Sequence, residues 1–269
     1  MADNANIARI VVITGASSGI GLAAARLFRD RGDRVYCLSR RDPEERDVTF
    51  IRADVTDEDS VRHAFAEIGE REEGRIDVLL SNAGMGVSGA AECTSMQDAK
   101  RQLDVNFFGL HACVRAAVPL MREHGGTILA TSSVAAVFAI PFQAFYSASK
   151  FALNALILAL ANELKPFNIK VAAIMPGDVR TGFTDARIKE SAGAEHYGSS
   201  IDKSVAVMEH DERGGMGPEM IAKRFVALSL KKHPKVLSTV GLQYKLFCFL
   251  GKALPIRLQN WIVGKMYIK

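Results

Sequence analysis

The sequence predicts a single α/β domain built on a doubly wound parallel sheet. Three observations carry this. Short runs of β-branched and apolar residues alternate with amphipathic stretches of helical length, joined by brief connections. The first of these runs leads into a glycine-rich turn that opens a helix, Thr14-Gly15-Ala16-Ser17-Ser18-Gly19-Ile20-Gly21. The chain has 269 residues, 48% hydrophobic and 24% charged, enough apolar content for one sizeable core and too short for two comfortable domains.

In chain order, residues 9–13 read as a first buried strand. Residues 19–31 follow as a helix with Ile20, Ala24, Leu27 and Phe28 on one face, stopped by Gly32. Residues 34–39 and 48–52 are the second and third strands, and 57–71 is a polar-faced helix carrying Val61, Phe65 and Ile68. Residues 76–80 are a fourth strand, 99–122 a long helix and 126–131 a fifth strand; 144–164 is helical and 170–175 is a sixth strand. That alternation requires helices on both faces of the sheet, with the ligand crevice at the strand C-termini. The stretch at about 182–217 breaks the pattern. It is polar and punctuated by glycine, and reads as an irregular substrate lid on a catalytic body spanning 1–241. Residues 242–269 form an apolar, basic tail that Pro255 divides into two helices.

The four cysteines, Cys37, Cys93, Cys113 and Cys248, show no metal-binding spacing, so buried free thiols in a reducing compartment are expected. The N-terminal MADNANIAR lacks the basic-then-apolar pattern of a signal peptide. No uninterrupted run of about 18 uncharged apolar residues is present, and the expected location is cytoplasmic. The net charge of +4 is unevenly spread: no acid follows Glu219, so the last 50 residues carry +10 and the rest −6.

The glycine-rich turn lets the backbone approach a pyrophosphate, which the N–H dipoles of the following helix attract. At the end of the second strand, where a fold of this type that uses NAD places a carboxylate, stand Ser39, Arg40 and Arg41. A guanidinium forks onto a 2′-phosphate that a carboxylate would repel, and Ser17 is a further donor, so NADP(H) is favoured over NAD(H). Tyr146 and Lys150 are spaced i, i+4 and share one helical face. An ammonium there stabilises the phenolate and lowers the phenol pKa, which makes Tyr146 usable as an acid/base. Ser133, thirteen residues earlier and just past a strand end, is placed to hold a substrate oxygen.

Together these features resemble the short-chain dehydrogenase/reductase family, over most of the chain from Val11 to about Val240. Asp54-Val55 resembles the family's adenine contact, and Ser81-Asn82-Ala83-Gly84 its N-N-A-G turn. Asn106 matches the fourth catalytic member beside Ser133, Tyr146 and Lys150, implied to hold a water for a proton relay through Lys150. Pro176-Gly177, with Val179 and Thr181, matches the segment implied to hold the nicotinamide carboxamide. The resemblance implies a Rossmann fold and hydride transfer between NADP(H) and an alcohol or ketone. Ser81 in place of Asn and Ala136 in place of Gly depart from the family pattern.

Residues 134–155 look most like hydroxysteroid and retinol dehydrogenases, which implies an apolar alcohol or ketone substrate. A small or acyl ketone is the alternative. The apolar helix at 151–161 suits a homodimer or homotetramer. The tail either lies on an anionic membrane as a peripheral contact, or closes the substrate pocket or packs against a second subunit; it is too apolar for a nucleic-acid arm. A non-catalytic NADPH-binding sensor would require a broken catalytic set, and a sugar-nucleotide epimerase a larger C-terminal domain.

Overall fold

The main sheet is formed by seven parallel strands in a computed structural model that describes residues 8–268. Residues 1–7, on which the reading of the N-terminus rests, and Lys269 of the basic tail lie outside the described residues, as does the side chain of Lys252. In chain order the elements are β1 (Ile10–Thr14), α1 (Gly19–Arg29), β2 (Arg34–Ser39), β3 (Thr49–Arg52), α2 (Glu58–Arg71), β4 (Val78–Ser81) and β5 (Val87–Ser88). They continue with α3 (Met96–Leu103), α4 (Gly109–Met121), β6 (Gly126–Thr131), α5 (Ala144–Glu163), β7 (Ile169–Met175), α6 (Phe183–Ala186), β8 (Ile188–Lys189) and α7 (Ala194–Tyr197). The last are α8 (Ser200–Arg213), α9 (Pro218–Ser229), β9 (Leu237–Thr239), α10 (Leu242–Ala253) and α11 (Ile256–Tyr267).

The strand order is β3-β2-β1-β4-β6-β7-β9, so the chain reverses direction across the sheet between β1 and β4. Ligands of open α/β sheets bind outside such a switch point. The central strands are buried on both faces, and their side chains divide by parity. Ile10 and Val12 of β1 join Tyr36 and Leu38 in one core with residues of α2, α4 and α5. Val11 and Ile13 join Val35 and Cys37 in the other, with α1 and α9. Asp57 caps α2 by accepting from the Asp59 and Ser60 N–H groups.

Several elements differ from the sequence reading. The expected helix at 99–122 is two helices joined by a π-helical turn, Asp104–Phe108, which carries Asn106. The expected irregular lid is largely helical: Ile201, Ser204, Val205 and Met208 make a buried stripe along α8. This region is tied down by the parallel pair β5–β8 and by ion pairs of Arg187 with Glu212 and Lys189 with Glu209. Strand β9 and helix α9, unassigned from sequence, complete the sheet edge and one helical layer. Three cysteines are buried free thiols, while Cys93 is only half-buried. The tail breaks at Pro255 as expected, and Gln259 holds the corner by donating to the Gly251 and Leu254 carbonyls at 2.8 and 2.7 Å.

Candidate active site

The turns that follow β1, β2, β3, β4, β6 and β7 open into one cavity of about 1350 Å³. Its phosphate end is shaped by glycine. Gly15 has φ +64°, and a Cβ there would sit 2.7 Å from the Ala83 Cα. Gly19 has φ +55°, and a Cβ there would stand 3.2 Å from the Thr181 side chain. Ser18 is the N-cap of α1, but its side chain makes no capping bond, which leaves the first-turn N–H groups uncapped for an anion. The Thr14 hydroxyl accepts from the Asn82 and Ala83 N–H groups at 3.0 and 3.2 Å. Asn82 in turn donates to the Gly15 carbonyl and accepts from the Thr131 hydroxyl. The ends of β1, β4 and β6 are thereby locked together.

At the end of β2 the Ser39 hydroxyl donates to the Arg41 carbonyl at 2.6 Å and turns the chain. Arg40 and Arg41 stand exposed on the cavity wall. Among the described residues no carboxylate pairs with either, whereas Arg26 and Arg29 nearby are both tied to Glu45. Asp54, with Val55, lines the same cavity and accepts from the Thr56 N–H and hydroxyl. These features fit a dinucleotide: uncapped N–H groups, glycines that permit close approach, and free guanidinium groups beside them.

Ser133 follows β6 and accepts from the Ala135 N–H at 3.1 Å, which fixes its rotamer. Lys150 is buried, donates to the Thr131 carbonyl at 2.8 Å and lies 5.7 Å from the Tyr146 ring centroid. Tyr146 packs against Phe183 of α6, centroids 5.8 Å apart. Burial dominates both titrating groups because it penalises whichever form is charged. It pushes the Tyr146 phenol up to about 12, a rise that the Ser133 hydroxyl opposes in part. It takes the Lys150 ammonium down to about 8. The net direction is opposite to the one expected from Lys150, because burial outweighs any stabilisation of the phenolate and favours the neutral phenol.

Of the residues expected at the site from sequence, all but Gly21 and Asn106 line this cavity. Gly21 is a packing residue, since a Cβ would collide with the Gly15 carbonyl and the Asn82 amide. Asn106 lies behind Gly84. Its Oδ1 accepts from the Met85 N–H at 2.9 Å, and its Nδ2 donates to the Met85 carbonyl and the Ser149 hydroxyl. Gly177 lies against the Tyr244 ring of α10, and Pro176, Val179 and Thr181 line the cavity beside it.

Sequence reasoning missed several neighbours. Gln102 pins residues 85–87 by accepting from the Val87 N–H and donating to the Met85 carbonyl. Asp178, Asp211 and Glu212 make part of the lining acidic. Asp178 accepts from the Tyr244 hydroxyl at 2.7 Å, and burial raises its carboxyl above the ordinary value. The only sequence signal for these acids was their place within the polar lid and beside Gly177.

A parallel sheet whose strand ends carry a glycine cradle beside Ser133, Tyr146 and Lys150 defines a dinucleotide-dependent oxidoreductase. A family model described as short chain dehydrogenase matches residues 9–192, and the chain belongs to that family. A protein named 3-ketodihydrosphingosine reductase from Bacteroides thetaiotaomicron is 39% identical, over 96% of this chain and 98% of that one. A solved short-chain dehydrogenase from Streptomyces avermitilis superposes with a TM-score of 0.82 at 27% identity, covering 97% of both chains. An alcohol dehydrogenase from Thermococcus sibiricus, solved with 5-hydroxy-NADP, gives a TM-score of 0.71 at 25% identity over 86% of this chain and 95% of that one.

Proposed function

We propose that the protein is an NADPH-dependent ketone reductase acting on a long-chain amino ketone of the 3-ketodihydrosphingosine type. The observation that carries this reading is the divided character of the cavity. Asp178 lines the cavity with Tyr146 and forms no ion pair among the described residues, whereas Glu212 is already held by Arg187, so one carboxylate is left without a cation on the wall near the reacting position. Toward α10 and α11 the lining carries a cluster of apolar side chains, Phe138, Phe247, Leu250, Leu254 and Ile262. 3-Ketodihydrosphingosine has an ammonium on the carbon next to its ketone and a long saturated chain beyond, which matches both. A hydroxysteroid or retinoid, suggested by the sequence pattern, would give the Asp178 carboxylate no cation to pair with. The 39% identity to a reductase named for that ketone supports the same choice.

NADPH, when bound, supplies the hydride. Gly15, Ser17, Ser18, Gly19 and Ile20 would hold its pyrophosphate, and Arg40 its 2′-phosphate. Asp54 and Val55 would take the adenine, and Thr181 the nicotinamide end. The Ser133 and Tyr146 hydroxyls donate to the carbonyl oxygen, and Tyr146 releases its proton to it. Lys150 restores that proton, and Asn106 acts by fixing the backbone at Met85 and Gly84 beside it. A phenol with a pKa near 12 suits the reductive direction, which needs the proton on Tyr146 at the start.

The test follows NADPH consumption with 3-ketodihydrosphingosine, its N-acylated form, a hydroxysteroid and a retinoid. The free amine should turn over roughly tenfold or more faster than the N-acyl form, the scale of one lost charge-assisted bond. Tyr146→Phe should lose at least ~100-fold. Equal rates with the free amine and the N-acyl form remove the acidic wall from recognition, and no turnover removes the substrate class.

A further inference from the structure

The two faces of the C-terminal helix pair differ. On the inward face Tyr244, Cys248, Gln259 and Val263 are buried, and Leu250 and Leu254 line the cavity. The outward face carries large apolar side chains in water: Leu242 is 84% exposed, Ile256 72%, Phe249 67% and Trp261 61%. Lys245, Arg257 and Lys265 are exposed along the same two helices. None of the three forms an ion pair among the described residues, and the two helices carry no acid of their own, since none occurs after Glu219. Phe247 and Met266 belong to both surfaces, since they line the cavity and are still 40% and 42% exposed.

We propose that the outward face of α10 and α11 docks on an anionic membrane surface, with the mouth of the cavity opening at that contact. Apolar side chains interleaved with basic ones are what an interfacial helix pair requires: the former enter the acyl boundary and the latter meet the headgroups. Charge selects this occupant over a second copy of the chain. A two-fold contact would bring Lys245, Arg257 and Lys265 against the same residues of its partner, with no counter-charge. A lipid surface supplies that counter-charge. Phe247 and Met266 then form a continuous apolar path from the membrane into the pocket, by which a long-chain substrate enters without crossing water. The docking does not depend on which substrate the pocket takes.

Co-sedimentation of the full chain with vesicles tests this. Vesicles of phosphatidylcholine mixed with phosphatidylglycerol should carry the protein down at low salt, and less so as salt screens the contact. Vesicles of phosphatidylcholine alone should not. Each basic residue at such a surface contributes about fivefold in partitioning, so Lys245→Glu/Arg257→Glu/Lys265→Glu should bind on the order of a hundredfold more weakly. Phe249→Ser/Trp261→Ser should also bind more weakly. None of these five residues lines the cavity, so NADPH binding by both variants should equal that of wild type and reports that they are folded. Failure of the wild type to bind anionic vesicles at low salt overturns the proposal, as does undiminished binding by the charge-reversed variant. Self-association without vesicles that Phe249→Ser/Trp261→Ser abolishes would assign the face to a second copy and overturn it equally. Vesicle binding without turnover of the amino ketone would sink the substrate reading and leave the docking intact.

Discussion

Tyr146 and Lys150 stand one helical turn apart, and burial moves their pKa values toward the neutral form of each. The consequence for pH dependence has a definite sign. The phenol, at about 12, keeps its proton throughout the working range, so proton donation to substrate does not limit the rate there. The Lys150 ammonium, at about 8, loses its proton far below an ordinary lysine. If Lys150 restores the proton, kcat/KM for ketone reduction is constant below about pH 8 and falls roughly tenfold per unit above it. A profile flat through pH 10 would remove Lys150 from the relay. The identities of Ser133, Tyr146 and Lys150 were legible in the sequence because one turn and one strand end fix their placement. Their electrostatics were not, because burial and neighbouring charge depend on the tertiary fold: Phe183, Asp178 and the paired Arg187 and Glu212 come from distant segments.

Elements with strong periodicity were read correctly from sequence, and those depending on tertiary contacts were not. Strands β1, β2, β4, β6 and β7 are continuous apolar runs, a pattern that two-sided burial imposes. The short edge strand β9 has only three residues and takes its place from pairing with β7. The π turn at Asn106, DVNFF, continues the apolar content of the helices beside it and so left no break to read; its Asn106 amide is taken up by Met85 and Ser149. Helix α10 is seated by close approach: a Cβ at Gly251 would stand 2.6 Å from Val137 Cγ1 and 2.7 Å from the Phe138 ring. Gly251→Leu therefore overpacks that contact, with an expected cost of about 1–3 kcal/mol, seen as a lower melting temperature. It should raise KM for a long-chain ketone, because Phe138 and Leu250 line the cavity, and leave NADPH affinity unchanged. Unaltered KM would mean that α10 does not shape the substrate pocket.

At the scale of the whole molecule, the tail and α5 each expose an apolar face among the described residues, and charge separates the two. The tail is basic, so a two-fold contact through it would set like charges against each other. The outer stripe of α5, with Phe151, Ala155, Leu158 and Ala159 exposed, carries no charge. By length and composition α5 could cross a membrane, yet its inner face packs on the sheet and brings buried Lys150 into the site. Its stripe consequently suits a rigid protein surface, and the small Ala155 and Ala159 allow a second helix to approach closely. A two-fold axis through this stripe would bury Phe151 and Leu158 against their counterparts without bringing like charges together. Light scattering should then give a dimer or tetramer for the wild type. Phe151→Asp/Leu158→Asp would place four carboxylates across one desolvated dimer contact, and should shift the protein to monomer. Both side chains point away from the cavity, so NADPH binding should survive the change. A wild-type monomer, or a variant that stays associated, would show that α5 is not the interface.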